Sequence, residues 1–459
     1  MQKSFSKPFL TSCITLAFFY SFSQPPKTSQ LPPMVKIVTV DPGHFHAALV
    51  QKSMYPQVDP VVHVYAPAGP DVQLHLDRIK AYNTRTDNPT AWKEEVYTGD
   101  DFFERMLKDK TGNVVMLSGN NRKKTEYISK SLKSGFHVLA DKPMVINSNE
   151  FEVLKEAFKT AGDKKLLLYD IMTERFEITT VLQKALSMTP AVFGTLEKGT
   201  AEQPAIDMKS VHYFYKSVSG EILTRPAWFM DVSQQGEGIV DVTTHLVDLV
   251  QWEAFPGQTL RYSDVNITGA KRWPTDMSLD EFKAITKLGA FPDYLSKDVS
   301  SNTLRVYSNG EINYTLKGVH AKVAAIWNYK APEGSGDTHY SYMHGTRADL
   351  VIRQEAEQKY KPELYIEPRV QNAAYEQTLR QQMKSIQARY PGVELAKTAK
   401  GWQVVVPDKY RDGHEAHFAG VTTNFLQYLQ NRSMPAWEVP NMLTKYYTTT
   451  RALQLAKSK

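Results

Sequence analysis

The sequence predicts two folds in series: a parallel α/β sheet covered on both faces, then an α+β region built on a mostly antiparallel, open sheet with helices. Three observations carry this. Between residues 34 and 175, continuous apolar runs alternate with amphipathic stretches, the pattern of strands buried between layers of helices. After Arg175-Phe176 the alternation stops, and short strand-like runs follow one another with few helices between them. The chain has 459 residues, more than one hydrophobic core usually serves.

The first 33 residues stand apart. Lys3 and Lys7 precede an apolar run at residues 9–22, and Ser21-Phe22-Ser23 supplies small residues for a cut after Ser23, so residues 1–23 read as a secretory signal peptide. The run is too short for a comfortable membrane span. Cys13 precedes most of it, which disfavours a lipid anchor, and no twin arginine is present. Export, to the periplasm, is the expected fate. Residues 24–33, QPPKTSQLPP, read as a proline-rich linker.

The α/β domain is expected over residues 34–175. VKIVTV (35–40) is its first strand, and DPGHFHAALVQKS turns from it into a helix. VVHVYA (61–66) is the second strand; VVMLSG (114–119) leads into a basic helix ending at Gly135, whose charges read as a solvated face. FHVLADKP (136–143) follows, then a helix near 149–161, and KKLLLYD (164–170) is the last strand-like run of the domain. Ligands of such sheets bind beyond the carboxyl ends of the strands, so Asp141-Lys142-Pro143 aims an ammonium into that crevice. The turn after the first strand, Asp41-Pro42-Gly43-His44-Phe45-His46-Ala47, keeps only the middle glycine of a dinucleotide fingerprint. By itself it favours a plain strand–helix turn. The acid expected at the end of the second strand is missing: Tyr65 and Ala66 stand there, with Asp71 later.

Residues 176–459 form the expected second domain. Strand-like runs are AVFGTLEKG (191–199), SVHYFYK (210–216), NTLRVYSNG, INYTLKGVHAKVAAIWNY, GDTHYSYMHGTRADLVIRQ and PELYIEP, with a helical insertion near 371–390 and closing helices near 416–431 and 439–455. One helix, expected over 238–254, interrupts this set after a glycine-rich turn. Asp241, His245 and Asp248 fall at i, i+4 and i+7 on it, an acid–imidazole–acid stripe flanked by apolar residues. His414, Glu415 and His417 open a later helix; two histidines and one acid make a thin metal site, and no metal is assigned.

Composition narrows the classes. Hydrophobic residues make up 42% and charged residues 23%, ordinary for a globular protein, and a net charge of +6 is a mild bias at this length. No aromatic-rich pattern accompanies the basic helix, so a nucleic-acid partner is not expected. Cys13 is the only cysteine and falls in the signal segment, which excludes disulfides, thiolate zinc sites and cysteine nucleophiles from the mature chain.

Taken together, GFHVLADKP, DIMTERF, WFMDVSQQGEGIVDVTTHLVDLV and the segments GTRADLVI and FLQYLQNRSMP resemble, in order, the Gfo/Idh/MocA family (glucose-fructose oxidoreductase, inositol dehydrogenase). The resemblance implies a Rossmann-type dinucleotide-binding domain followed by a carbohydrate-binding domain. It implies NAD or NADP as cofactor, with NAD favoured, and a small sugar, polyol or glycoside as substrate. Lys142, Asp241 and His245 fall on the family's catalytic positions. Gly43, His44 and Phe45 fall in its cofactor turn, with Asn120, Asn121 and Lys142 completing the cofactor side. Arg175, His212, Trp228, Asp248 and His414 are the expected substrate residues, and Phe229 and Arg225 also suit a sugar pocket. A neutral imidazole suits removal of a hydroxyl proton, so His245 is the expected base and Lys142 the expected alkoxide stabiliser. Some relatives use transient oxidation to cleave a glycosidic bond, and a non-catalytic carbohydrate binder is the third reading. Assembly into a homo-oligomer through the second sheet stays open.

Overall fold

The computed structural model describes residues 34–218 and 221–458. The expected signal peptide and linker lie outside the described residues.

Six parallel strands form the first sheet: β1 (Ile37–Val40), β2 (Val61–Ala66), β3 (Lys93–Thr98), β4 (Val114–Leu117), β5 (His137–Asp141) and β6 (Leu168–Ile171). Their order, β3-β2-β1-β4-β5-β6, reverses direction between β1 and β4, which opens a crevice there at the strands' carboxyl ends. Helices α1 (His46–Val50), α2 (Pro70–Thr84), α3 (Phe102–Asp109), α4 (Lys124–Lys133) and α5 (Phe151–Asp163) connect them. The expected α/β class is what the structure has. β1 and β4 are buried at every position, which is why their apolar runs stand out in the sequence. β3, KEEVYT, is the strand that sequence patterning did not locate. It is an edge strand pairing only with β2; Lys93 and Glu95 face solvent, as edges require, while Glu94 turns inward to accept from Gln51 at 2.7 Å.

The second region carries helices α6 (Ile178–Ser187), α7 (Val232–Gln235), α8 (Thr243–Ala254), α9 (Leu279–Thr286), α10 (Ala373–Arg389), α11 (His414–Asn431) and α12 (Glu438–Lys457). Its strands are β7 (Ile206–Tyr215), the small pair β8 (Ser217–Val218) and β9 (Glu221–Ile222), β10 (Val265–Ser278), β11 (Val299–Ser300), β12 (Thr303–Leu316), β13 (Val319–Lys330), β14 (Thr338–His344), β15 (Ala348–Arg353), β16 (Glu363–Pro368), β17 (Glu394–Thr398) and β18 (Gly401–Val405). The large sheet runs β10-β12-β13-β7-β14-β15-β16-β18-β17, with β11 on β12. It is antiparallel except where β13 meets β7. One face is covered by α8 through Leu246, Val247, Leu249 and Val250, packed on Ile206, Ile312 and Val323. α6 and α10 cover the other end of the sheet.

Three expectations need correction. AVFGTLEKG is a turn with two isolated bridges, Leu196 to Gly345 and Gly199 to Pro204, rather than a strand. β10 went unread because Pro274 interrupts it; the ladder slips between Trp273 and Thr275, as an edge strand tolerates. The helix expected from residue 238 starts at Thr243, and 238–242 form a turn pressed onto β12. A Cβ on Gly238 would meet the Ser308 oxygen at 1.7 Å, so glycine alone fits that approach.

The last two helices do not stay with the second sheet. Phe418, Val421 and Phe425 of α11, and Met442 and Tyr446 of α12, belong to the same core as β1, β4, β5 and β6. Among the described residues no helix is long and apolar enough to cross a membrane.

Candidate active site

β5 ends in Asp141 and delivers Lys142 into the crevice, through a cis Lys142–Pro143 bond. The turn before α8 delivers Asp241 from the opposite side. Lys142 Nζ lies 2.6 Å from Asp241 Oδ1, with the two side chains 10% and 6% exposed. Gln235 Nε2 donates to the other carboxylate oxygen at 3.1 Å. Burial pulls the Lys142 ammonium down, but Asp241 and Asp141 outweigh it and hold the pKa above its ordinary range. Burial raises Asp241, and Lys142 outweighs that and keeps it a carboxylate. His245 occupies the first turn of α8, partly exposed, with Nδ1 lacking any hydrogen-bond partner. Burial and the charge of Lys142 push its pKa down to about 3, against the pull of Glu174. The imidazole is therefore neutral at physiological pH. Lys142 and Asp241 thus meet, and His245 feels the Lys142 charge from the first turn of α8, although Asp241 stands in the turn and not on the helix.

The β1–α1 turn is rigid and unusual. Asp41 takes the place of the first fingerprint glycine with φ +47°. Gly43 N–H donates to Asp41 O at 2.8 Å and His44 N–H to Ser118 O at 3.2 Å, so both amides are already engaged. Gly119 permits β4 to approach this turn: a Cβ there would sit 1.9 Å from Asp41 O. Beyond the turn lies a cavity of about 400 Å³, lined by Asp41, Ala66, Pro67 and Asp71 of the first region and by Trp228 and Tyr294 of the second. That volume and its proline-rich walls fit a nucleoside. Asp71, from the first turn of α2, supplies the carboxylate missing from the end of β2. Asp41 is pushed up to about 6 by burial and by Asp71.

His44 and His46 turn back toward the sheet. His46 Nδ1 lies 3.0 Å and His44 Nδ1 3.5 Å from Asp141 Oδ2. The rings of His44 and His46 meet edge to face at 4.0 Å, and Phe45 packs against both. Asn120 donates to Gln234 Oε1 at 2.7 Å and Asn121 to Gln235 O at 2.6 Å, tying the loop after β4 to α7. Asn121 Oδ1 is buried without a partner, so it is free to receive a ligand's donor.

The expected substrate residues divide. His414 Nδ1 lies 3.3 Å from Glu174 Oε1, and its ring centroid is 5.8 Å from that of His46, so it borders the crevice. His212 is on β7, bonded to Asp337 at 2.8 Å and stacked on Trp327. Arg175 and Asp248 do not join the crevice. Arg175 forks onto Asp248 at 2.6 and 2.7 Å and onto Glu438 at 3.1 and 3.2 Å; Lys445 Nζ bridges Asp248 and Asp170 at 2.8 and 2.7 Å. These five charges form a buried brace between β6, α8 and α12. Trp228 is also displaced from a sugar pocket: its Nε1 donates to Asp71 Oδ2 at 2.7 Å and its indole covers Gly43. Phe229 and Arg225 are buried beside it, the guanidinium 4.7 Å from the Phe229 ring. The basic helix is not wholly solvated either. Lys124 is 2% exposed and donates to Asp141 O at 3.0 Å, with burial lowering its pKa to about 8.

Sequence reasoning noted Asp71 only as an acid past the end of the second strand, and gave no site role to Glu174, His46 or Asp141. The signal for the last two was present, as the His-x-His spacing at 44 and 46 and the acid next to Lys142.

Comparison with known proteins agrees with this architecture. Residues 33–169 match the model described as "Oxidoreductase family, NAD-binding Rossmann fold", and residues 182–457 match "Putative oxidoreductase C terminal domain". The crystal structure of a putative oxidoreductase from Parabacteroides merdae is 59% identical, covering 93% of this chain and 98% of that one, with a TM-score of 0.91. Levoglucosan dehydrogenase in complex with NADH and levoglucosan is 12% identical, covering 92% and 97%, with a TM-score of 0.58. Biliverdin reductase from Synechocystis, in complex with biliverdin and NADP+, is 10% identical, covering 92% and 99%, with a TM-score of 0.56. The last two share the fold alone. No curated protein matches the sequence. Sheet order, crevice and matched domains define an NAD-binding oxidoreductase of two domains. The chain belongs to the Gfo/Idh/MocA oxidoreductase family.

Proposed function

We propose that the protein is an NAD-dependent dehydrogenase acting on a secondary hydroxyl of a sugar, polyol or glycoside. The observation that carries the reading is the buried Lys142–Asp241 pair at the carboxyl end of the parallel sheet, with a neutral His245 one helical turn past Asp241 and within the field of Lys142. The chemistry a bound nicotinamide supplies is hydride acceptance. The chain's own residues handle the proton and the charge. Lys142, held as an ammonium, stabilises negative charge developing on the substrate oxygen. Asp241 fixes Lys142, and its second oxygen, which accepts from Gln235, has lone-pair capacity left to orient a hydroxyl. His245 is neutral and has a free Nδ1, so it accepts the hydroxyl proton. Its low basicity is offset by two groups: Lys142 acidifies the hydroxyl, and Glu174 stabilises the imidazolium.

On the cofactor side, Asp71 in the cavity suits the two hydroxyls of an unmodified ribose and repels a 2′-phosphate, which favours NAD over NADP. Levoglucosan dehydrogenase, a neighbour in fold, takes an anhydrosugar, and a carbohydrate substrate is in keeping with that.

The test is to purify the protein, identify any nucleotide released on denaturation, and follow 340 nm absorbance with NAD and a panel of glucosides, inositols and anhydrosugars. NADH formation with one substrate class supports the reading. A protein that binds neither NAD nor NADP at millimolar concentration overturns it. Sugar release without net NADH would mark redox-assisted cleavage instead.

A further inference from the structure

The proton and hydride chemistry above leaves two histidines unused. His44 and His46 stand one residue apart where β1 ends, and Asp141 stands at the end of β5, two strands across the sheet. All three side chains turn to one point. His46 Nδ1 is 3.0 Å and His44 Nδ1 is 3.5 Å from Asp141 Oδ2, and the three ligand atoms lie within 4.8 Å of one another. Among the described residues this is the one group of three such side chains so disposed. A tetrahedral zinc ion about 2.0–2.2 Å from nitrogen and carboxylate ligands spaces them by about 3.3 Å, between the two observed distances.

An ordinary hydrogen bond from His46 to Asp141 explains part of this arrangement and not all of it. It leaves His44 Nδ1, buried, with no hydrogen-bond partner although it faces the same carboxylate. The Asp141 position is also fixed by neighbours: Ser118 Oγ donates to the same Oδ2 at 3.0 Å, and Lys124 Nζ to the Asp141 main-chain oxygen at 3.0 Å. Metal ligands are oriented by such outer contacts. Of the two nearby ammonium groups, Lys142 is neutralised by Asp241 and Lys124 is engaged with the main chain, so neither claims the Asp141 carboxylate by direct pairing.

We infer that His44, His46 and Asp141 form a site for a divalent transition-metal ion of the zinc type, with an open position facing the crevice that holds Lys142. Two imidazoles and one carboxylate select zinc-like ions over magnesium or calcium, which prefer oxygen ligands. Three protein ligands with a fourth position open is the pattern of a catalytic zinc rather than a structural one. An ion there would be a second electrophile beside the Lys142 ammonium. This site stands on its own observations and does not depend on the dehydrogenase reading.

The test uses tag-free protein, stripped with EDTA and dialysed. Zn²⁺ is titrated by calorimetry and Co²⁺ by visible absorption. The expected result is one ion per chain at micromolar affinity or better, with the intense Co²⁺ bands of four-coordination. His44→Gln and Asp141→Asn should each weaken binding about 100-fold, while His417→Gln leaves it unchanged. His44 sits on a partly exposed turn, so a circular dichroism spectrum and unfolding midpoint matching wild type show that its variant is folded. Wild-type protein that takes up no stoichiometric Zn²⁺ at 100 μM free ion, to order of magnitude, overturns the site. So does one equivalent of ion bound equally by wild type, His44→Gln and Asp141→Asn, which would put the ion elsewhere. Neither outcome bears on whether NAD binds.

Discussion

Replacing Glu253 by glutamine is expected to stabilise the protein, by an amount that grows with pH. Glu253 lies on α8, eight residues beyond His245, and is 1% exposed. Neither carboxyl oxygen has a hydrogen-bond partner. The nearest cation, Lys184, is drawn over the Trp252 ring, 3.5 Å from its centroid. Burial pushes the Glu253 pKa well above its ordinary value of 4.5; Lys184 opposes this and Glu177 adds to it. Because the folded value is raised, the stability linked to this group is fully present below pH 4.5 and is lost as pH rises through the folded value. Within that window the loss is about 1.4 kcal/mol per pH unit. Glutamine has the same shape and does not titrate. Urea unfolding of both proteins, followed by tryptophan fluorescence at pH 5 and pH 7, should therefore give nearly equal midpoints at pH 5 and a higher one for Glu253→Gln at pH 7. An equal gap at both pH values, or a wild type that gains on its variant with pH, would refute the argument.

Four further outcomes are expected. Lys445→Met strips one partner from both Asp170 and Asp248 in the buried brace and should cost about 3–5 kcal/mol in the same unfolding assay. Gly119→Ala forces a Cβ onto Asp41 O; it should cost about 1–3 kcal/mol and weaken NAD binding, read by calorimetry. Asp71→Ala removes the carboxylate from the nucleoside cavity, so the ratio of NAD to NADP affinity should fall about 10-fold in binding titrations. His245→Ala should lower kcat/KM by about 10²–10⁴ on whichever hydroxyl substrate turns over, with circular dichroism unchanged.

The parts of the fold that were legible in the sequence are those where burial dictates composition. β1, β2 and β4 are apolar because helices cover both faces. β3 and β10 were hidden because edge strands carry charges and a proline without penalty. The placement of Lys142 at a strand end, Asp241 in the turn before α8 and His245 in its first turn was legible because such positions aim side chains predictably. Arg175 and Asp248 were misread for the opposite reason. Their charges are visible locally, but Glu438 and Lys445, which claim them, arrive 263 residues after Arg175 and 197 after Asp248. Trp228 looked like a sugar platform until Asp71, 157 residues earlier, was seen to hold its indole. Long-range pairing leaves no periodic trace in a chain.

The return of α11 and α12 to the first sheet has a consequence for how the molecule is made. A ribosome releases the six parallel strands long before it supplies Phe418, Phe425 and Tyr446, which fill their core. The nucleotide-binding half therefore cannot finish folding as an autonomous unit at the front of a growing chain; it waits, incomplete, for the last forty-odd residues. Assembly closes both halves together. Splitting the chain after β6 would yield not a minimal nucleotide-binding module but a core stripped of the apolar side chains of α11 and α12.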